Sequence, residues 1–575
     1  MDRVRNRLVL VSLLAAAILP YFVGLGDAAI WDANEAFYVE TPREMIERGD
    51  YVFPTFNYEP RVNKPILSYW IVAGFYKVLG ISVWSQRLAI ALGGVGLVAI
   101  AFFLGRAALS TPESRVPNLE VRVPHVEPQT LIGDPRGRGA TALVAGLWAA
   151  VGLAIAPRVL MFSRRIFIDI YISLFMALTL LFFALSERYP ERRRLWLVSM
   201  YVAAALGVLT KGPIALVIPA LVFGLYLLIH RELGRIAEMM LPLGALIVIA
   251  IVAPWYVALY QRSGWTDIVS FVVGENIVRF TEGIGASQNA RGWWFYVPIV
   301  FSDSFPWSLF LPAAFLAARH RRADAGSRVR MLMFLWIAGF VALFSFSATK
   351  QDLYIFPIVP AIAALAGWVI AAGGPGIRWT AGIVSALFAA FGGGALFLFG
   401  SAGAVYALEG TIPVAAVAIA GGVLSFTLVT LGRTHVALIA VVVTVLVLNW
   451  TFILRVLPSF ERYKPAPALS EMLLERAAPD DLVIHYSIAM PSMVYYMRRH
   501  IEVIYNEGLF LEAMRAPKRI FAVLWASDYG RLEPWLPVRT CVIRSAPLFN
   551  IKAGAVLKRE PLRELVVITN RCAPK

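Results

Sequence analysis

Long apolar runs constrain this chain more than any other feature of its sequence. A helical run of about 20 apolar residues matches the hydrocarbon thickness of a bilayer. We count thirteen such runs, near residues 8–25, 85–105, 139–156, 169–186, 195–210, 213–229, 239–259, 297–317, 331–347, 353–372, 379–400, 412–431 and 436–455. The sequence therefore predicts a polytopic α-helical membrane protein with about 13 transmembrane helices.

Basic residues predict how the spans are oriented. Arg3, Arg5 and Arg7 precede the first run, and no small-residue cleavage site follows it, so we expect an uncleaved span with a cytoplasmic N-terminus. This orientation places the other basic loops on the same side of the membrane, and an odd number of spans places the C-terminus outside. The net charge of +16 then reflects topology, and no nucleic-acid partner is expected.

The first outer loop, residues 26–84, is the richest in ionisable groups. The stretch WDANEAFYVETPREMIERGDYVFPTFNYEPRVNKPILSYW (31–70) interleaves acidic residues with Arg43, Arg48, Arg61 and Lys64. A plain tether between two spans does not need them. The segment 65–80 is amphipathic and too short to span, which predicts an interfacial helix.

Further cations lie at outer helix ends, where the topological bias disfavours them. Arg164 stands in SRRIFID, Lys211 in LTKGP and Lys350 in SATKQDLY, and the second outer loop, 260–297, carries Glu275 and Arg279. Such cations are costly near the membrane unless an anion meets them. Each taken singly could instead snorkel to lipid phosphate. The glycine-containing stretch 283–292 of the second loop is interpreted as a mobile lid or, equally, as an undemanding surface loop.

We therefore predict that these cations converge on one phosphate-bearing ligand. The predicted phosphate-binding residues are Arg61, Lys64, Arg164, Lys211, Arg279 and Lys350. Other predicted substrate contacts are Asn34, Tyr38, Tyr69, Glu275 and Tyr354.

Three carboxylates are candidates for catalysis: Asp32, Glu35 and Asp169. Asp32 and Glu35 also fit a capping box, in which both side chains satisfy free N–H groups at a helix start. Asp169 opens an apolar span, where a structural ion pair with a neighbouring arginine is the alternative to a general base.

The segment 457–575 has a soluble composition, whereas 1–456 holds the spans. Short apolar runs at 482–486, 501–505, 519–524, 540–544 and 565–569 alternate with helix-like stretches. This pattern predicts a small extracytoplasmic α/β domain. Both cysteines, Cys541 and Cys572, fall in it; a disulfide and two buried thiols are both compatible with the sequence.

The membrane part resembles a known family. The first-loop stretch 31–70 and the motifs SRRIFID, LTKGP, PWY, GENIVRF, FPWSLFLP and SATKQDLYIFPIVPA follow in the order found in polyprenyl-phosphate-sugar-dependent glycosyltransferases of the GT-C class. That class includes protein O-mannosyltransferases and lipid A aminoarabinose transferases. The resemblance implies an enzyme of the bacterial inner membrane that moves a sugar from an undecaprenyl-phosphate donor to lipid A, another glycan or lipid, or protein. A transporter of lipid-linked sugars is the alternative.

The resemblance also implies an Asp-Glu pair in the first loop, where this chain has Asn34 and Glu35. Because an amide does not accept a proton at neutral pH, Asp32 or Glu35 takes the base role, or the acceptor needs no base. Asn63 stands where relatives often carry an acidic residue that helps to hold a metal. No cofactor is therefore expected.

Overall fold

The computed structural model is mainly helical, and its described residues also include a five-stranded sheet and a two-stranded hairpin. It describes residues 2–32, 34–109, 135–165, 167–282, 291–320, 325–374, 376–400, 408–548 and 558–572. The stretch interpreted as a lid lies, over 283–290, outside these residues.

Among the described residues, twenty-four α-helices follow one another along the chain. They are α1 Asp2–Ile18, α2 Asn34–Arg48, α3 Leu67–Leu79, α4 Val83–Ala107, α5 Pro135–Ile155, α6 Pro157–Arg165, α7 Phe167–Arg188, α8 Arg193–Lys211, α9 Ile214–Ile229, α10 Leu241–Ser263, α11 Trp265–Val269, α12 Arg279–Thr281, α13 Tyr296–Asp303, α14 Leu311–His320, α15 Ala325–Ser345, α16 Val359–Ala372, α17 Ile377–Phe399, α18 Thr411–Thr430, α19 Thr434–Thr451, α20 Leu457–Ser459, α21 Ala466–Arg476, α22 Pro491–Met497, α23 Glu507–Met514 and α24 Ala526–Leu532. Two π-helices cover Ser270–Val278 and Phe452–Val456, and a 3-10 helix at Asp352–Ile358 leads into α16.

The apolar runs correspond to helices. Within the described ranges, nine helices are long and apolar enough to cross a membrane, and two bent pairs, one of them α5 with α6, raise the number to as many as eleven. The shorter apolar helices α1 and α9 coincide with the two remaining runs. The protein is a multi-pass membrane protein, and the number thirteen stays a prediction. Helix α16 is buried over nearly its whole length and packs on α4 and α5, which form the centre of the bundle.

The residues after α20 form a five-stranded sheet with helices, as the run pattern predicts. Its strands, numbered after the short first-loop hairpin of β1 (Thr55–Phe56) and β2 (Glu59–Pro60), are β3 Leu482–Tyr486, β4 Glu502–Ile504, β5 Ile520–Trp525, β6 Cys541–Leu548 and β7 Arg563–Thr569. Their spatial order is β4-β3-β5-β7-β6; β3, β4 and β5 run parallel and β7 is antiparallel to its neighbours. Cys541 and Cys572 form a disulfide, which confirms that alternative.

This C-terminal region packs directly on the first outer loop. The side chain of Asn57 exchanges two hydrogen bonds with the backbone of Ile501, at 2.8 and 2.9 Å. The backbone N–H of Ile30 donates to the Tyr496 hydroxyl, at 2.9 Å. Helix α22 packs on α2, so the sheet region covers the loop in which half of the predicted site residues lie.

Candidate active site

A cavity of about 760 Å³ lies between the loop 26–84, the π-helix at 270–278 and the adjoining ends of α7, α8 and α15. Most of its wall is apolar, formed by side chains such as Ile172, Val217, Phe340 and Phe344. One part of the wall is polar and carries four cationic side chains: Arg61, Lys64, Lys211 and Arg279. An apolar chamber with a cationic end matches a lipid that has an anionic head group.

Glu275 holds two of the four cations. Its Oε2 atom lies 2.9 Å from Lys64 Nζ and 3.1 Å from Arg279 Nη1. Lys64 stands in the loop after β2, whereas Glu275 belongs to the π-helix, so the ion pair ties the two outer loops together. Burial lowers the pKa of Lys64, and the carboxylate of Glu275 opposes that effect.

Asp169 and Lys211 form the second ion pair of the cavity. Asp169 stands in the first turn of α7 and Lys211 in the last turn of α8, and Lys211 Nζ donates a hydrogen bond to Asp169 Oδ1. Both positions suit the helix dipoles, because a carboxylate is favoured at a helix N-terminus and a cation at a C-terminus. Asp169 is 4% exposed, and Lys211 is the ion-pair partner that a buried carboxylate needs.

Gly212 explains how the LTKGP motif brings Lys211 close to the π-helix. Its φ of +106° ends α8 immediately after Lys211, a conformation that a side chain disfavours. A Cβ atom there would lie 3.0 Å from the Phe271 ring and 3.2 Å from Asn276. The glycine therefore lets the π-helix approach the lysine closely, and irregular helices of this kind are frequent at functional sites.

Aromatic side chains complete the wall on the side of the first loop. The guanidinium of Arg61 lies 3.5 Å from the ring centroid of Phe37, a cation–π contact. Tyr38 lines the cavity and stacks on Tyr69, whose ring centroid is 5.6 Å away. Burial raises the pKa of Tyr38 well above its usual value, so it presents a neutral hydroxyl. Tyr69 lies behind the wall and positions its neighbours.

Most of the predicted site residues come together here. Those that line the cavity are Asn34, Tyr38, Arg61, Lys64, Asp169, Lys211, Glu275, Arg279 and Tyr354. Asp32, Glu35, Arg164, Lys350 and Tyr69 do not line it.

Asp32 and Glu35 serve other contacts. Asp32 Oδ1 accepts a 2.8 Å hydrogen bond from the backbone N–H of Ser492, at the start of α22, so it caps a helix of the C-terminal region. Glu35 is fully buried and accepts two hydrogen bonds from the Arg87 guanidinium, at 2.6 and 3.1 Å. Glu35 also accepts a 2.8 Å hydrogen bond from the backbone N–H of Trp31, whereas the predicted capping box requires the N–H of Asp32, so the box does not form as predicted.

Two predicted phosphate ligands bind backbone carbonyls instead. Arg164 donates to the carbonyls of Pro20 and Gly24, which fixes α6 against the end of the first span. Lys350 donates to the carbonyl of Ser347 at 2.7 Å. These contacts satisfy both cations within the protein.

Sequence reasoning missed several polar residues of the wall. Asn63, Asn276, Ser347 and Gln351 all line the cavity. Each lies within four residues of a predicted cation or of Glu275, so proximity to those motifs is the only signal in the sequence. In the described part of the chain, no group of three or more His, Cys, Asp or Glu side chains is placed to hold a metal ion.

Fold and cavity together define a polytopic membrane protein with a cation-lined pocket between apolar helices. Residues 138–257 match the family described as dolichyl-phosphate-mannose-protein mannosyltransferase. Two relatives are undecaprenyl phosphate-alpha-4-amino-4-deoxy-L-arabinose arabinosyl transferases of Pseudomonas fluorescens. The one from strain Pf0-1 is 29% identical, and the match covers 64% of this chain and 58% of the relative. The one from strain ATCC BAA-477 / NRRL B-23932 / Pf-5 is 30% identical, and the match covers 63% of this chain and 56% of the relative. The chain thus spans less than two thirds of the length of these relatives.

Two solved structures share the fold over almost the whole chain. ArnT from Cupriavidus metallidurans in the apo state has a TM-score of 0.74 at 19% identity, and the same protein bound to undecaprenyl phosphate has a TM-score of 0.75 at 20% identity. In each case 98% of this chain and 99% of the other are covered. The chain therefore shares the fold of these two structures, and its similarity to glycosyltransferases rests on residues 138–257 and on the relatives above.

Proposed function

We propose that this protein moves a sugar from an undecaprenyl-phosphate-type donor to an acceptor of the bacterial envelope. One observation carries the proposal: Lys64, Lys211 and Arg279 converge at the polar end of an otherwise apolar cavity. The names of the relatives, which include undecaprenyl phosphate and an arabinosyl transfer, support it. In this proposal the enzyme works at the outer face of the inner membrane, with a cytoplasmic N-terminus and residues 457–575 in the periplasm.

The proposed reaction breaks the bond between the anomeric carbon and the phosphate oxygen. The leaving group departs as a phosphate monoester, whose second negative charge develops in the transition state. Preorganised Lys and Arg donors in a site that excludes water stabilise that charge. The apolar wall near Phe340 and Phe344 would hold the polyprenyl chain.

Asp169 is the carboxylate best placed for proton transfer. Lys211 is the ion-pair partner of Asp169. When the donor phosphate also binds Lys211, a carboxylate oxygen of Asp169 becomes available to accept the proton of an attacking hydroxyl. An acceptor that is already ionised, such as a phosphate group, needs no such step. The proposed acceptor is lipid A, another glycolipid or polysaccharide, or protein. Asp32 and Glu35 are given structural roles in this proposal.

The test is sugar transfer by the purified protein in lipid nanodiscs. Synthetic undecaprenyl-phosphate sugars and extracted envelope acceptors would be supplied, and release of undecaprenyl phosphate would be measured with the labelled product. We expect undecaprenyl phosphate and the labelled glycosylated product to appear in equal amounts. Movement of intact donor across the bilayer without release would favour a transporter and contradict the proposal.

A further inference from the structure

The charges of the cavity carry information about the sugar itself. Four cations, Arg61, Lys64, Lys211 and Arg279, face two carboxylates, Asp169 and Glu275. The cavity therefore holds two positive charges in excess. A phosphate monoester dianion, the leaving group of the proposed reaction, neutralises both.

Both carboxylates pair with those cations, and a phosphate that engages Lys211 would share this cation with Asp169 without changing the net charge of the lining. Asp169 is paired with Lys211, and Glu275 is paired with Lys64 and Arg279. Among the described residues that line the cavity, these are the only acids, and the undescribed residues of the second outer loop, 283–290, contain no Asp or Glu in their sequence.

The remaining polar groups of the wall are neutral amides and hydroxyls. Asn34 opens α2 with an exposed side chain, and Asn63 Oδ1 is buried in the wall without a hydrogen-bond partner. Gln351, Ser347 and Tyr38 add further neutral groups. An unpartnered carbonyl oxygen of this kind accepts a hydrogen bond from a sugar hydroxyl, because a buried polar atom without a partner is costly.

From this charge balance we infer that the transferred sugar is neutral, with hydroxyl groups in place of any ammonium group. This inference rests on the proposed function and specifies its donor. The sugar is bonded directly to the phosphate, so an ammonium on its ring would lie within one ring width of the cation cluster. A buried ammonium needs a free carboxylate, and repulsion from like charges would discriminate against it. The relatives named above take an amino sugar by name, so this chain differs from them in donor.

A matched pair of donors tests the inference. One donor is undecaprenyl phosphate linked to 4-amino-4-deoxy-L-arabinose, and the other is undecaprenyl phosphate linked to L-arabinose. The two differ at one ring position, where the first carries an ammonium group and the second a hydroxyl. We expect kcat/KM to be at least tenfold higher for the hydroxyl sugar, which corresponds to about 1.4 kcal/mol. An equal or higher value for the amino sugar would overturn the inference while leaving the proposed function intact. Failure to release undecaprenyl phosphate from either donor, or from mannosyl and glucosyl donors, would overturn both.

A charge introduced into the cavity provides a second, independent measurement. Asn34→Asp adds a carboxylate to the wall and should shift the kcat/KM ratio towards the amino sugar by about tenfold. Asn506→Asp makes the same change at the N-cap of α23, far from the cavity, and should leave the ratio unchanged. An unaltered ratio in a folded Asn34→Asp protein would contradict the assignment of this wall to the sugar.

Discussion

Lys64 Nζ lies 2.9 Å from Glu275 Oε2, although the two residues are 211 positions apart in the chain. One belongs to the first outer loop and the other to a π-helix of the second. The pair closes the polar end of the cavity, and with Lys211 and Arg279 it defines where a phosphate group would bind.

Removal of a cavity cation should slow transfer strongly. We expect Lys64→Ala and Lys211→Ala each to lose about 2–4 kcal/mol of transition-state stabilisation, or two to three decades in kcat/KM. Lys350→Ala should lose less than tenfold, because Lys350 does not line the cavity and donates its hydrogen bond to the backbone carbonyl of Ser347. Lys518→Ala, on the exposed surface of the C-terminal region, is the control. Equal losses of kcat/KM in Lys350→Ala and Lys211→Ala would show that the effect of a cation on transfer does not depend on whether it lines the cavity.

Asp169 and Glu35 should respond differently to neutral isosteres. Asp169→Asn should abolish most turnover with a hydroxyl acceptor while undecaprenyl phosphate still binds. Glu35→Gln should instead cost about 3 kcal/mol of stability, because it leaves the buried charge of Arg87 without its partner. Turnover per folded molecule and thermal unfolding separate the two effects. Wild-type turnover by Asp169→Asn would favour an acceptor that is already ionised.

Asp32 should hold the C-terminal region in place. Asp32→Ala removes the cap of α22 and should cost about 0.5–2 kcal/mol, seen as faster amide hydrogen exchange at Ser492 and along α22. Asp32→Asn keeps an oxygen that can accept the same bond, so its exchange should stay close to wild type. If both variants exchange alike but lose turnover, Asp32 has a role in catalysis instead.

Glu44 should make stability depend on pH. Burial raises its pKa from 4.5 to about 7, with a contribution from the nearby carboxylate of Glu40. Because the folded protein then binds the proton more tightly than the unfolded chain, this stabilisation is complete below about pH 4.5 and is lost as pH rises through 7. Glu44→Gln does not titrate, so between pH 5 and pH 8 its stability should rise relative to wild type by about 2–3 kcal/mol. Thermal unfolding across that range measures this, with Glu475→Gln on the exposed face of α21 as a control.

The disulfide should protect the sheet region against unfolding. Cys541 begins β6 and Cys572 follows β7, with 31 positions between them. Loop closure over that length contributes about 3–4 kcal/mol in the chain-entropy description. Replacement of both cysteines by serine should lower the unfolding free energy of the sheet by an amount of this order, and a maleimide reagent should label the wild-type protein only after reduction.

The elements that the sequence predicts well are those with local signals. Span positions follow from the length of apolar runs, and the strand β3 follows from a short apolar run between turns, so neither depends on distant partners. The contacts of Asp32 and Glu35 could not be read in this way. Asp32 caps a helix 460 residues away, and the partner of Glu35 lies in the following span. A capping box in the sequence predicts that these carboxylates accept hydrogen bonds, but it does not predict which residues donate them.

The cations illustrate the same limit. Arg164 and Lys211 carry the same charge at outer helix ends, but only Lys211 reaches the cavity. Which of them faces inward depends on helix rotation and on the π-helix at 270–278, whose wider turn leaves no periodic signature in the sequence.

The contact between the first outer loop and the C-terminal region has a consequence for biogenesis. Ala29 binds Glu461 and Ile30 binds Tyr496, across 432 and 466 positions. At a translation rate of about 5–20 residues per second, the loop leaves the ribosome roughly 20–90 s before its cover exists. The newly inserted membrane part therefore waits with this surface of the loop uncovered until the C-terminal region has been synthesised and folds onto it.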